Sequence, residues 1–115
     1  MNFILLNVLN SNLALKGYMK VISVSYGKTV TISFRYGGSN VSFLAFVSGN
    51  GAGGRAIYHG FYQGSSPQIT QMMYEVNGGT FSINLSSGNK MAITGGTSNY
   101  VSVVIVYTDG IEISE

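Results

Sequence analysis

Gly95-Gly96-Thr97-Ser98-Asn99-Tyr100-Val101-Ser102-Val103-Val104-Ile105-Val106-Tyr107 decides the fold, because it restates Gly37-Gly38-Ser39-Asn40-Val41-Ser42-Phe43-Leu44-Ala45-Phe46-Val47. Each copy follows a strand-like run begun by a lysine, Lys28-Thr29-Val30-Thr31-Ile32 before the first and Lys90-Met91-Ala92-Ile93-Thr94 before the second. The unit reads as strand, glycine turn, strand. Glycine, serine and asparagine favour the turn, and β-branched and aromatic residues favour the strands on either side.

Working outward, alternation with period two dominates. In residues 29–36, Val30, Ile32, Phe34 and Tyr36 share one face while Thr29, Thr31, Ser33 and Arg35 share the other, the pattern of a half-buried strand. Phe81, Ile83 and Leu85 set against Ser82, Asn84 and Ser86 repeat it. Further strands are expected over 19–26, 56–63, 69–75 and 90–94, punctuated by glycines at 37–38, 49–54, 78–79 and 95–96. Asp109-Gly110 is a hairpin signal, followed by a short strand carrying Ile111 and Ile113. These features predict a single all-β domain, a jelly-roll-like antiparallel β-sandwich over 19–115, with 1–18 as an N-terminal strand or arm. Residues 43–47 and 103–107 break the alternation, being apolar on both faces. Another layer or another subunit is therefore expected to cover their second face.

Charge is sparse: 9% of the 115 residues are charged, against roughly a quarter in an ordinary domain. A surface short of charge offers little repulsion against association, which favours a homo-oligomer. The six basic residues are scattered, whereas nucleic-acid binding needs them gathered on one face, so no nucleic-acid partner is expected. There is no cysteine for a disulfide or thiolate site. The apolar stretch Met1 to Leu9 lacks a basic flank and is too short to span a bilayer, so neither a processed signal nor membrane insertion is expected.

The residues point away from catalysis. His59, the only histidine, alternates with Ile57 and Phe61 and is expected on the inward face; alone, it does not make a zinc site of the usual ligand number. Glycoside hydrolysis needs two carboxylates across a cleft, yet three of the four acids (Asp109, Glu112, Glu115) fall in the C-terminal tail and only Glu75 lies elsewhere. Residues 49–54 fit G-x-G-x-x-G, but a strand follows where a dinucleotide site requires a helix. The expectation is a non-catalytic chain without cofactor or metal. Its most suggestive local constellation is Tyr58-His59-Gly60-Phe61-Tyr62, in which Tyr58 and Tyr62 share a face across Gly60. Two such rings make either a platform for a sugar's apolar face or packing for a neighbouring strand. The candidate ligand-binding residues are Tyr58 and Tyr62 together with Asn50, Arg55 and Asn99, with loops 49–54, 63–67 and 95–99 expected at one end of the sandwich.

From about Val21 to Tyr107 the chain resembles the C-terminal head domains of bacteriophage tail fibres and similar receptor-binding proteins. The glycine-serine-asparagine turns and the closing phrase from Met91 to Val106 carry the resemblance. It implies a homotrimeric β-sandwich, in the virion or extracellular, that recognises a saccharide or protein on a bacterial surface. The alternative is a trimerisation or folding cap, or a capsid-decoration subunit, without a ligand.

Overall fold

The computed structural model describes residues 17–38, 40–49, 54–76, 80–86, 88–96 and 101–115. The arm expected over 1–18 lies outside them except for Gly17 and Tyr18, which open the first strand. Nine strands run in chain order through the described residues: β1 (Gly17–Val24), β2 (Thr29–Phe34), β3 (Phe43–Gly49), β4 (Gly54–Gln63), β5 (Ser66–Val76), β6 (Phe81–Asn84), β7 (Lys90–Gly95), β8 (Val101–Thr108) and β9 (Ile111–Ser114). They form two antiparallel sheets, ordered β1-β8-β3-β4-β5 and β6-β7-β2-β9, packed as a sandwich. Strands β3, β4 and β5 follow one another as hairpins and β8 returns beside β3, the spatial order of a Greek key.

The repeated unit forms the centre of both sheets. Each copy carries the chain from the four-stranded sheet to the five-stranded one, β2 to β3 and β7 to β8. The copies run antiparallel side by side, β2 against β7 and β3 against β8, so their glycine turns fall at opposite ends. Space is tight at a glycine in each turn, against a side chain in the first and against backbone in the second. A Cβ on Gly37 would stand 2.8 Å from the Tyr62 ring, and one on Gly95 would collide with the Ser25 backbone.

Inward-facing side chains alternate as period two demands. Ile22, Val24, Phe43, Ala45, Val47, Val101, Val103 and Ile105 from the larger sheet meet Val30, Ile32, Phe81, Met91, Ile93 and Ile111 from the smaller one. Phe34 locks the two layers together, with its ring 5.9 Å from Phe43 and edge-on to Tyr62 at 5.1 Å. Asp109-Gly110 departs from the sequence reading. Gly110 has the expected left-handed φ of +97°, but β8 and β9 belong to different sheets, so the turn is a crossing and not a hairpin. The two-residue hairpin turn is Gly64-Ser65, between β4 and β5.

Candidate functional site

The two outer faces differ in chemistry. On the four-stranded sheet the cross-strand rows are mostly polar: Asn84, Ala92, Thr31 and Ser114 form one, and Ser82, Thr94 and Thr29 another. The hydroxyls of Thr29 and Thr94 lie 2.9 Å apart. On the five-stranded sheet, register places Val21, Val104, Phe46, Ile57 and Met73 in one row spanning all five strands. On one side of it runs a second row, Met19, Val106, Leu44, His59 and Thr70, and on the other side a polar row, Ser23, Ser102, Ser48, Arg55 and Glu75. No described element covers this face. Met19 is 69% exposed, Val21 61% and Val106 46%. A depression of about 420 Å³ is sunk into it, bordered by Leu44, His59, Met72, Val106 and Thr108. Monomeric proteins rarely leave apolar rows of this extent in water.

Strand β4 is turned over relative to the sequence reading. Tyr58 faces the core and is 2% exposed, its hydroxyl donating to Gln71 Oε1 at 2.9 Å. His59 points to the outer face, stacked on Phe61 with ring centroids 4.9 Å apart. The cause is Phe43, whose ring occupies the space that a Cβ on Gly60 would need. That crowding leaves small Ala56 and Gly60 inward beside Tyr58 and sends Ile57 and Phe61 outward. A sugar platform built from Tyr58 is therefore corrected to a core tyrosine. Tyr62 is partly buried against Phe34 and covers Gly37, so it too has packing partners.

Burial pushes the Tyr58 phenol above its ordinary pKa of 10.0, and neighbouring Tyr74 adds to the shift. The folded chain thus holds this proton at a pH where the unfolded chain releases it. Its stabilising contribution is complete below the unfolded pKa and is lost as pH rises through the folded one. Melting temperatures between about pH 9 and pH 12 should accordingly fall less steeply in Tyr58→Phe than in the unsubstituted chain. Equal slopes would show that Tyr58 does not report on folding.

Of the remaining candidates, the described residues include Arg55. Arg55 is exposed near the end where β3 stops and β4 begins, its guanidinium 3.4 Å from Glu75. Asn50 and Asn99 lie outside the described residues, although the strands flanking them end at that rim. The 63–67 turn lies at the other end of β4 from Arg55. The rim near Arg55 also holds a polar groove of about 360 Å³ along Ser23, Ser25, Lys28, Thr29 and Glu115. Among the described residues no three histidine, cysteine, aspartate or glutamate side chains gather as for a metal ion, and no helix is long and apolar enough to cross a membrane.

The opposite end carries aromatic side chains that sequence reasoning did not join. Tyr18 and Tyr107 are register partners with ring centroids 5.4 Å apart, and the Tyr18 phenol lies beside Asp109. The interaction with Asp109 is the chief cause of the Tyr18 pKa lying above 10.0. The Tyr36 ring packs on the same turn, 3.1 Å from where a Cβ on Gly110 would stand.

No protein-family model matches the chain, and no curated protein matches it. Among solved structures it is similar to the tailspike protein gp49 of the Acinetobacter baumannii bacteriophage Fri1, a capsular polysaccharide depolymerase. The TM-score is 0.59 at 10% identity, over 92% of this chain and 23% of that one. It is also similar to the tailspike of Acinetobacter phage vB_ApiP_P1, with a TM-score of 0.37 at 16% identity, over 87% of this chain and 22% of that one. Only the first superposition is close enough to speak for a shared fold. The chain spans under a quarter of the length of either tailspike, and what it shares with the first is the fold of one part.

Proposed function

We propose that the chain is a non-catalytic binding module of a phage virion, of the tail-fibre or tailspike kind, that works as a homotrimer and recognises a bacterial surface saccharide or protein. The observation that carries this reading is the match of nearly the whole sandwich to one part of a polysaccharide-degrading tailspike. Support for assembly comes from the apolar outer face of the five-stranded sheet. Five strands about 4.8 Å apart make a face some 24 Å wide. Three such faces turned towards a common axis close on themselves, each packing half against either neighbour, which is a heterologous contact that forms a ring. Trimeric presentation also multiplies weak single-site affinity through avidity. The ligand-free alternative, a trimerisation or capping domain, draws on the same apolar face.

Two measurements test the reading. The full chain is expected to bind whole bacteria and to bind purified capsular or O-antigen polysaccharides from a strain panel, while releasing no reducing ends from them. Release of reducing ends would make the chain an enzyme. Failure to bind either cells or polysaccharides would favour the structural alternative.

A further inference from the structure

We infer that the end of the sandwich carrying Tyr18, Tyr36 and Asp109 is a saccharide-binding site, made for the apolar face and adjacent hydroxyls of a neutral pyranose ring. The inference rests on the binding-module reading and supplies its missing location. The three residues come from β1, the β2–β3 connection and the β8–β9 crossing, and the fold brings them to one end.

Exposure is the first ground. Tyr18 is 41% and Tyr36 55% exposed, although both are large rings beside a core that already contains Phe34, Phe43 and Tyr62. An aromatic face left in water at a fixed angle is suited to stacking on the C–H face of a sugar, with the phenol hydrogen-bonding a hydroxyl.

Pre-organisation is the second. Asp109 stands on a turn held by the Arg35 backbone N–H, which donates to the Gly110 carbonyl at 2.7 Å, and by Thr108, whose backbone N–H donates to the Ser42 carbonyl at 3.0 Å. The Tyr107 ring, 5.4 Å away and tilted by 30°, backs the Tyr18 ring beside Asp109. An ionised carboxylate has about four acceptor positions, so a carboxylate beside the Tyr18 phenol keeps capacity for sugar hydroxyls. Fixing the site before binding lowers the ordering cost of association. A carboxylate at the centre also selects against acidic sugars, since two like charges would meet.

The test uses the full chain on the same polysaccharide panel, with Tyr36→Ala, Tyr18→Phe and Asp109→Asn, and with Lys28→Ala in the polar groove at the other end. The expected result is at least a tenfold loss of binding in Tyr36→Ala and Asp109→Asn and a smaller loss in Tyr18→Phe, with Lys28→Ala unchanged. Mass and melting temperature report separately on folding, and Tyr18→Phe keeps the ring should Tyr36→Ala loosen the turn. Full binding by Tyr18→Phe and Asp109→Asn would overturn the site while leaving the binding-module reading intact. Loss confined to Lys28→Ala would move the site to the opposite rim. An unsubstituted chain that binds no polysaccharide would overturn the site and the saccharide reading together.

Discussion

Val104→Asp is expected to convert the proposed trimer to folded monomers at micromolar concentration. Val104 lies in the apolar row that crosses all five strands, between Val21 on β1 and Phe46 on β3. In one copy it is only half-buried, so a carboxylate there still reaches water and the sandwich folds. In the proposed trimer the same carboxylate would be enclosed among valine, phenylalanine, isoleucine and methionine with no described cation in either apolar row. Burying an unpaired charge costs several kcal/mol, and even 3–5 kcal/mol weakens association by roughly two to four orders of magnitude. The control is Thr31→Asp on the polar face of the other sheet, which should leave the mass unchanged. Size-exclusion chromatography with light scattering reads both. A Val104→Asp chain that keeps the unsubstituted mass would show that this face is not the contact.

The second large effect is expected at Gly95. It is buried where the second copy of the repeat turns, its N–H donating to the Lys28 carbonyl at 2.9 Å and its own carbonyl accepting from the Gly27 N–H at 3.0 Å. A Cβ there would meet backbone atoms of Ser25, which cannot rotate aside as a side chain end can. Relief requires pulling the β1–β2 turn from β7 and breaking those bonds. Overpacking of this kind costs about 3 kcal/mol, a large share of the stability of a small domain. Gly95→Ala should lower the melting temperature by on the order of 10–20 °C. Gly17→Ala, with nothing within 4 Å of the added carbon, should leave it within a degree or two. Equal melting temperatures for the two variants would contradict the close-approach account.

The sequence patterns that proved legible are those that depend on local alternation. Val30 and Ile32 face inward as their spacing requires, and the doubly apolar β3 and β8 do carry a second apolar face outward. Alternation fails where both faces of a strand are apolar, because period two then gives no sign of which side is the core. On β4 the side was decided by the Phe43 ring above Gly60, a contact between residues seventeen apart. Asp109-Gly110 has the chemistry of a tight turn, but which sheet receives the following strand depends on β9 pairing with β2. The tyrosines near Asp109 were unreadable as a group for the same reason. Tyr18 and Tyr107 are 89 positions apart and meet only through the β1–β8 register.

The account depends most on the apolar face of the five-stranded sheet being closed by two further copies of the chain. The mass of the unsubstituted full chain, measured by light scattering across a dilution series, tests it most directly. Three copies of the 12.2 kDa chain, persisting to micromolar concentration, is the predicted result. A stable single copy, with the Val21–Val104–Phe46 row left in water, would contradict it.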